Sequence, residues 1–344
     1  MTQILVQGIG GVGGLLAGEL LRADIPLSLV TGNPNITTAI NDRGIAISTP
    51  DNTFHVATNA YTDLTEIPSD LSFDCAYLAM MAGGVVDAAL KALPLLGNNG
   101  YFVAFQNGFV EEAIGQAVGI ERVISATVAL GSTMEAPGVY RRTTAGRLIV
   151  GEMDGRMSPR LGELRETLAH IVETEISHNI VGVLWGKLVW NGAVSCLCAI
   201  SGKLLGELFD CNNGRDLSLM AFRESVDTAS AQGVDIEHVI VDPNDYYLGR
   251  TDGLGKRHQI LQRMAPLVDL YAGVTPSTLE SLRRGCKSEI DFLNGYIVEK
   301  AVAAGLEVPL NEVVIQMVHE IEAGTRNISA SNLDELLEAV SDRH

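Results

Sequence analysis

The sequence predicts an α/β protein in which a doubly wound, mostly parallel sheet is followed by an all-helical domain. Strand-like and helix-like apolar patterns alternate through the first half of the chain, as in parallel sheets covered by helices. From about Asn179 the pattern changes to long helical periods with few strand signals. Because 344 residues exceed the size at which one core usually divides, we predict two domains, 1–178 and 179–344.

The predicted sheet begins with a short buried strand over residues 3–8, followed by a glycine-rich turn and an apolar-periodic helix that ends near Leu21. A second strand over 27–30 stops at a Thr-Gly-Asn-Pro turn. Further strands are predicted near 45–48, 75–80, 101–105 and 123–128. Residues 138–151 are predicted to form an antiparallel hairpin appended to the sheet. Ligands of such sheets bind at the carboxyl ends of the strands.

Composition argues against several classes of partner. Acidic residues outnumber basic ones by 42 to 24, and the formal charge of -18 would repel a phosphate backbone and an anionic membrane surface. We therefore expect neither nucleic acid nor membrane as a partner. The two most apolar stretches, 75–96 and 183–206, are each interrupted by two charged residues, so no membrane span is predicted.

The amino terminus and the cysteines indicate a cytoplasmic protein without a metal site. The first residues run directly into a strand, without the basic start and apolar stretch of an export signal. The five cysteines form an odd set without paired metal-ligand spacing, so we predict buried free thiols: Cys75, Cys196, Cys198, Cys211 and Cys286.

A glycine motif, Gly8-Ile9-Gly10-Gly11-Val12-Gly13, lies between the first predicted strand and helix. The first glycine of G-x-G-x-x-G permits a tight turn, the second lets a pyrophosphate approach the backbone, and the third lets helix and strand pack closely. The helix N-terminus adds N–H donors to phosphate. We predict that Gly8, Gly10, Gly11, Val12 and Gly13 bind a nicotinamide dinucleotide on a Rossmann domain; the alternative is a flexible glycine turn.

Two further turns are predicted to contact this cofactor. The end of the second strand normally carries an acid for the ribose hydroxyls or a base for a 2′-phosphate. Here it carries Thr31, Gly32 and Asn33, which suit either NADH or NADPH and whose alternative role is a simple turn. Asn107, in Gln106-Asn107-Gly108, follows a strand where a Rossmann sheet presents side chains to the nicotinamide; an Asx turn is the alternative.

The helical half contains candidate catalytic residues. Lys187, Asn191 and Ser195 are four residues apart, which places them on one face of a predicted helix. A partly desolvated lysine can protonate the oxygen formed when hydride reaches a carbonyl carbon, and Asn191 would orient that substrate. The alternative is a solvated surface lysine beside two core tryptophans.

A second segment of the helical half contains Ser277, Glu289 and Asn294, with Glu289 as the carboxylate of interest. Ser277-Thr278-Leu279-Glu280 also fits a capping box, so a helix N-cap is the alternative role of Ser277.

Together these segments resemble the ketopantoate reductase (2-dehydropantoate 2-reductase) family over almost the whole chain. The match is carried by the glycine motif, Gln106-Asn107-Gly108, Trp185-x-Lys187-Leu188-x-x-Asn191 and the segment 288–295. The resemblance implies a Rossmann domain, a helical domain like that of 6-phosphogluconate dehydrogenase, an active site between them and a homodimer. It implies that ketopantoate or a related small 2-keto acid is reduced to the 2-hydroxy acid, as in pantothenate biosynthesis.

The resemblance also implies a role for each candidate residue. Lys187 would be the general acid, and Glu289 would bind substrate and hold the lysine in place. Asn191 and Ser277 would bind substrate, and Asn107 would lie beside the nicotinamide.

Several positions depart from the family's pattern. The usual basic contacts to the adenosine phosphate fall on Gly32 and Met81, which predicts that NADH serves as well as or better than NADPH, the usual cofactor. Ser195 replaces a second substrate-binding asparagine, and Ser281 replaces an acid, which suggests altered substrate selection. Two alternatives therefore stay open: a dehydrogenase of another hydroxy acid, and a dinucleotide-binding sensor without turnover. Residues 241–258, rich in turn formers, are predicted to be a loop on the substrate side or at the surface.

Overall fold

The computed structural model describes residues 2–341, and the chain divides into two compact units, Met1–Ile180 and Val181–His344. The first unit contains all eleven strands found in the described part of the chain. They are β1 (Ile4–Gln7), β2 (Leu27–Val30), β3 (Ile45–Ser48), β4 (Thr53–Val56), β5 (Phe73–Leu78), β6 (Leu96–Ala104), β7 (Val123–Ala129), β8 (Ser132–Ala136), β9 (Val139–Arg142), β10 (Arg147–Glu152) and β11 (Thr174–Ile176). Its helices are α1 (Gly11–Arg22), α2 (Pro34–Arg43), α3 (Val85–Ala92), α4 (Glu111–Val118) and α5 (Pro159–Leu168).

Seven strands form the main sheet, in the order β11-β10-β7-β6-β5-β1-β2. From β2 to β7 neighbouring strands are parallel, whereas β10 pairs antiparallel with β7. Ile4, Leu5 and Val6 of β1 are buried, as expected for parallel strands covered on both faces. The chain leaves β1 for β2 on one side and later places β5 on the other, so the ends of these strands form a topological switch point. The predicted doubly wound sheet is confirmed.

The predicted hairpin over 138–151 is wrong. β9 pairs with β8 and β3 in a second, four-stranded sheet of order β4-β3-β9-β8, while β10 joins the main sheet. The predicted strand at 45–48 is β3, and it too belongs to the second sheet. Both β9 and β10 contribute buried apolar side chains, Tyr140 and Leu148 among them. Apolar side chains of β9 and β10 can be buried in either sheet, so the closeness of the two strands in sequence did not make them pair with each other.

The second unit is helical throughout its described residues, as predicted. Its helices are α6 (Ile180–Trp190), α7 (Cys196–Ser201), α8 (Leu205–Asp210), α9 (Asn212–Ala231), α10 (Leu254–Leu270), α11 (Ser277–Arg283), α12 (Asn294–Ala303), α13 (Pro309–Glu322) and α14 (Ser331–Val340). Between α6 and α7 the helix continues through a π-helical segment, Asn191–Ser195, called here the π turn.

The helical stretch from α6 through the π turn to α7 forms much of the core of this unit. Ile180–Ser201 is 22 residues long with a mean hydropathy of 1.5, long and apolar enough to cross a membrane by length and composition alone. In this protein, however, 89% of its most apolar window is buried. Such burial is typical of a core helix of a globular protein.

Two smaller predictions need correction. The 241–258 segment is not a loop throughout: Pro243–Tyr246 forms a 3₁₀ turn with a buried Tyr246, and α10 begins at Leu254. The buried side chains of α10 begin only at Ile260, so the sequence carries no buried apolar residue in the first turn of that helix. All five cysteines are free, but Cys286 is exposed and Cys211 only half-buried.

Candidate active site

The glycine motif forms an open cradle at the start of α1. Gly8 has φ +86, and a Cβ there would lie 2.6 Å from the Met80 nitrogen; at Gly13 it would lie 1.9 Å from the Gly8 oxygen. At Gly10, by contrast, a Cβ would have no heavy atom of the described chain within 4 Å. Gly10 is the N-cap of α1, and the helix has no side-chain cap among the described residues. The start of α1 thus has open space beside Gly10, and the N–H groups at a helix N-terminus are suited to bind an anion.

The second sheet anchors this cradle. The hydroxyl of Tyr140 on β9 donates to the Ile9 carbonyl at 3.0 Å, and Ser132 Oγ on β8 donates to the Gly11 carbonyl at 2.7 Å. Burial raises the pKa of Tyr140 to about 12, so the phenol stays protonated and can donate at neutral pH. Both anchors are more than a hundred residues from the motif in sequence, and sequence reasoning did not identify them.

The turn after β2 uses its own side chains. Thr31 Oγ1 hydrogen-bonds the Asn33 carbonyl at 2.9 Å and Thr37 Oγ1 at 2.6 Å. Asn33 Oδ1 accepts from the Asn35 N–H and caps α2. Gly32, with φ +67, has open space where a side chain would begin. Thr31, Gly32 and Asn33 thus make the contacts of a simple turn, which was the alternative role predicted for them.

Carboxylates lie beside that turn. The Gly32 N–H donates to the Thr62 carbonyl at 3.0 Å, and Glu66 Oε2 accepts from the Thr62 N–H at 3.1 Å. Asp63, the next residue, accepts from the Thr65 N–H, and this hydrogen bond lowers the pKa of the Asp63 carboxyl. Met81 is 51% exposed and adds no charge. The residues next to the end of β2 are therefore acidic rather than basic.

Gln106 joins the ends of two neighbouring strands. Its Nε2 donates to the carbonyls of Leu78, at the end of β5, and Met80, at 2.9 and 3.1 Å. Its Oε1 is buried without a hydrogen-bond partner among the described atoms. This bracing fixes the backbone that presents the half-buried Asn107 at the carboxyl edge of β6, in the same sheet edge as the glycine cradle.

In the second unit, Lys187 lies on α6 between two core tryptophans. Trp185 and Trp190 are 1% and 5% exposed, whereas Lys187 is half-buried. Their burial fixes the rotation of the helix, and Lys187 is not the fully solvated residue of the alternative interpretation. Ser195 Oγ lies 3.5 Å from Asn191 Oδ1, so these two polar groups meet.

The predicted α-helical face over 187, 191 and 195 is only partly correct, because the segment from Asn191 to Ser195 is a π turn. A π turn has i→i+5 hydrogen bonds and is frequent at functional sites. Spacing of four residues does not distinguish it from a regular helix.

Glu289 lies in a turn that the rest of the unit holds in place. It is 9% exposed. The N–H and Oγ of Ser288 both donate to Glu322 Oε1 at 2.7 Å, and the Glu289 carbonyl accepts from the N–H groups of Phe292 and Leu293. At the end of this turn, Asn294 Nδ2 donates to the Gly192 carbonyl at 3.1 Å. This hydrogen bond ties the Glu289 segment to the π turn.

Two family models match the chain in sequence. Ketopantoate reductase PanE/ApbA matches residues 4–155, and Ketopantoate reductase PanE/ApbA C terminal matches residues 179–322. The chain belongs to the ketopantoate reductase family.

Relatives and solved structures agree with this assignment. The chain is 25% identical over 323 residues to a 2-dehydropantoate 2-reductase of Pyrococcus horikoshii, covering 93% of this chain and 98% of the relative. A second 2-dehydropantoate 2-reductase, from Aquifex aeolicus, is 26% identical over 324 residues, covering 92% and 96%.

Among solved structures, a PanE/ApbA family ketopantoate reductase from Ralstonia eutropha JMP134 superposes with a TM-score of 0.80 at 25% identity, covering 94% of this chain and 99% of the other. A D-mandelate dehydrogenase solved with NADH and anilino(oxo)acetate has the same fold, with a TM-score of 0.80 at 17% identity over 94% and 99% of the two chains.

One residue singled out by the family's pattern, Ser277, does not cap a helix. Pro276 is the N-cap of α11 and Ser277 the first helical residue, with an exposed side chain. The capping box over Ser277–Glu280 is therefore wrong, because Pro276 takes the N-cap position and cannot supply a capping hydroxyl. The side chain of Ser277 is left exposed on α11, which packs against α7 and the π turn.

Metal-binding groups were sought among the described side chains. Between residues 2 and 341, no three His, Cys, Asp or Glu side chains are grouped to hold a metal ion.

Proposed function

We propose that this chain is a nicotinamide-dependent oxidoreductase that reduces ketopantoate, or a closely related small 2-keto acid, to the 2-hydroxy acid. The family assignment supports the reaction class. The observation that carries the proposal is the open space at Gly10 in front of the uncapped start of α1, in a chain that also retains Lys187 and Glu289.

The residues present fit a dinucleotide. Gly8, Gly10, Gly11, Val12 and Gly13 would hold the pyrophosphate through backbone N–H groups. Thr31 and Asn33 would contact the adenosine ribose mainly through their backbone groups, because their side chains already hydrogen-bond within the turn. Asn107 would lie beside the nicotinamide. When bound, the dinucleotide supplies the hydride that reduces the carbonyl carbon.

The helical unit supplies the proton. Lys187 donates it to the carbonyl oxygen, where negative charge develops, and a positioned acid of this kind contributes about 10²–10⁴ in rate. Glu289 binds substrate and keeps the lysine charged and oriented. Asn191, Ser195 and Ser277 hydrogen-bond the substrate. The carbonyl thus gains one hydride and one proton, and the product is the hydroxy acid.

NADH is the proposed cofactor, used as well as or better than NADPH. Gly32 and Met81 offer no cation to a 2′-phosphate, and the carboxylates of Asp63 and Glu66 lie next to the turn that contains Gly32. A 2′-phosphate would meet repulsion there, whereas the uncharged ribose hydroxyls of NADH would not.

The second candidate is a dehydrogenase of another hydroxy acid. Ser195, 7% exposed and within 3.5 Å of Asn191 Oδ1, is shorter than an asparagine and leaves room for a different 2-substituent. The D-mandelate dehydrogenase of the same fold makes an aromatic 2-keto acid a useful comparison substrate. We further propose a cytoplasmic homodimer.

One panel assay tests these proposals. Ketopantoate, 2-ketoisovalerate and phenylglyoxylate are supplied in turn with NADH and NADPH, and oxidation is followed by nicotinamide absorbance. We expect the highest kcat/KM with ketopantoate. With that substrate, kcat/KM for NADPH should be no higher than kcat/KM for NADH. Preference for phenylglyoxylate supports the second candidate, a hundredfold NADPH preference refutes the cofactor assignment, and cofactor binding without turnover indicates a sensor.

A further inference from the structure

A buried polar network lies behind the π turn. Glu224 on α9, Asn294 at the start of α12 and Asn311 on α13 are 4%, 0% and 0% exposed. Polar groups in such a core are costly unless every donor and acceptor is satisfied. Their arrangement therefore fixes the relative positions of the elements that carry them.

The network begins at Glu224 and ends at the π turn. Glu224 accepts from the Leu310 N–H at 2.9 Å and, through its other oxygen, from the N–H of Asn311 at 3.0 Å and from Asn311 Nδ2 at 2.6 Å. Asn311 Oδ1 accepts from Asn294 Nδ2 at 2.8 Å, and the same nitrogen donates to the Gly192 carbonyl at 3.1 Å. A carboxylate on α9 thus connects to one carbonyl of the π turn.

The amide of Asn294 is used in full. Its two N–H groups go to Asn311 and Gly192, and its oxygen accepts from the thiol of Cys196, the first residue of α7. Burial raises the pKa of the Cys196 thiol, so the thiol remains a donor. Asn294 therefore touches the backbone inside the π turn and the side chain directly after it.

Gly192 lies close to α12 at this contact. A Cβ at Gly192 would lie 2.9 Å from Ile297 Cδ1 and 3.8 Å from Asn294 Nδ2. The atom within 3 Å is the movable end of the Ile297 side chain, and no backbone atom of α12 is among the three nearest atoms. Where a helix changes from i→i+4 to i→i+5 hydrogen bonds, a carbonyl at the change can lose its partner within the helix, and a side chain from outside can then supply one.

We propose that Asn294 is a positioning residue: its amide, held by Asn311 and Glu224, fixes the Gly192 carbonyl and so the π turn that presents Asn191 and Ser195 to the substrate. The link to substrate rests on the proposed function, because that function assigns Asn191 and Ser195 to the keto acid. The structural part of the inference does not depend on it.

Asn294→Ala tests the inference, with Asn332→Ala as the matched control. Asn332 is 2% exposed and its Nδ2 donates to the carbonyls of Ile200 and Asn327 at 2.8 and 3.0 Å. It is thus an equally buried amide with two carbonyl partners, but at the far end of α7 and away from the π turn. Both variants should lower the Tm, since each removes a satisfied buried amide.

Two readouts separate positioning from stability. The first is hydrogen exchange of the amides of residues 191–196 without substrate, which should accelerate about tenfold or more in Asn294→Ala and stay unchanged in Asn332→Ala. The second is steady-state kinetics with the keto acid. KM should rise about tenfold in Asn294→Ala with kcat within threefold, and KM should stay within twofold in Asn332→Ala.

Each outcome is informative. Unchanged exchange over 191–196 in Asn294→Ala, or equal KM changes in both variants, overturns the inference. If the wild-type protein reduces no keto acid, the proposed function fails and the exchange comparison alone decides the structural role. If Asn294→Ala does not fold, Asn294→Ser, whose shorter side chain replaces the amide that donates to the Gly192 carbonyl, should raise both exchange and KM; unchanged values there refute the inference.

Discussion

Replacing Gly10 and Gly13 by alanine, one at a time, distinguishes a cofactor cradle from an ordinary glycine turn. The two residues are three apart in one motif, yet their surroundings are opposite. An added Cβ at Gly13 would lie 1.9 Å from the backbone oxygen of Gly8, whereas one at Gly10 would meet no described atom within 4 Å. The same chemical change should therefore act on folding at one position and on binding at the other.

The expected magnitudes follow from those surroundings. At Gly13 the clash is with backbone, so overpacking should cost about 3 kcal/mol or more of the free energy of unfolding. At Gly10, with φ −83, alanine fits the backbone, and the loss of a favourable N-cap residue offsets the smaller entropy of the unfolded chain to within about 1 kcal/mol. A methyl group there would, however, keep a pyrophosphate from the N–H groups of α1. Losing one or two charge-assisted hydrogen bonds, about 3 kcal/mol, weakens the dinucleotide Kd about a hundredfold.

Denaturant unfolding and calorimetric titration with NADH measure the two effects on the same samples. Gly10→Ala should unfold like the wild type and bind NADH about a hundredfold more weakly. Gly13→Ala should be destabilised. If Gly10→Ala binds NADH with wild-type affinity, the space in front of α1 is not the pyrophosphate site.

Two further predictions concern the adenosine end and the anchor of the cradle. Met81→Lys should raise the NADPH/NADH ratio of kcat/KM about tenfold, because it adds one positive charge. Leu90→Lys, which alters a similarly exposed residue on α3, should leave that ratio unchanged. Equal ratios in the two variants would contradict the assignment of Met81 to the adenosine end. Burial raises the pKa of Tyr140 from 10.0 to about 12, so this group adds stability below pH 10 that is lost as pH rises toward 12, up to about 3 kcal/mol. In alkaline unfolding titrations the wild type should therefore lose more stability over that window than Tyr140→Phe, and parallel curves would contradict this.

The sequence predicts the fold class well because its signals are local. A buried run from Ile4, a glycine turn and the helix that follows occupy consecutive residues, and the loss of strand patterns after Asn179 marks the helical half. The hairpin prediction over 138–151 failed because two consecutive apolar runs can be buried in different sheets, and local patterns do not encode that choice.

The site was predicted less completely because its supporting contacts are distant in sequence. Tyr140 reaches Ile9 across 131 residues, and Asn294 reaches Gly192 across 102. Neither contact has a sequence pattern of its own. The π turn was missed because residues four apart fit a regular helix equally well, and the two differ in their backbone hydrogen bonds, which spacing does not show.

The general-acid role of Lys187 is tested by the kcat of Lys187→Ala with ketopantoate, measured beside the Kd for NADH. We expect a kcat lower by about 10²–10⁴ and a Kd within about twofold of the wild type, because the lysine donates a proton and does not hold the pyrophosphate. A kcat within tenfold of the wild type, with NADH still bound, would contradict it.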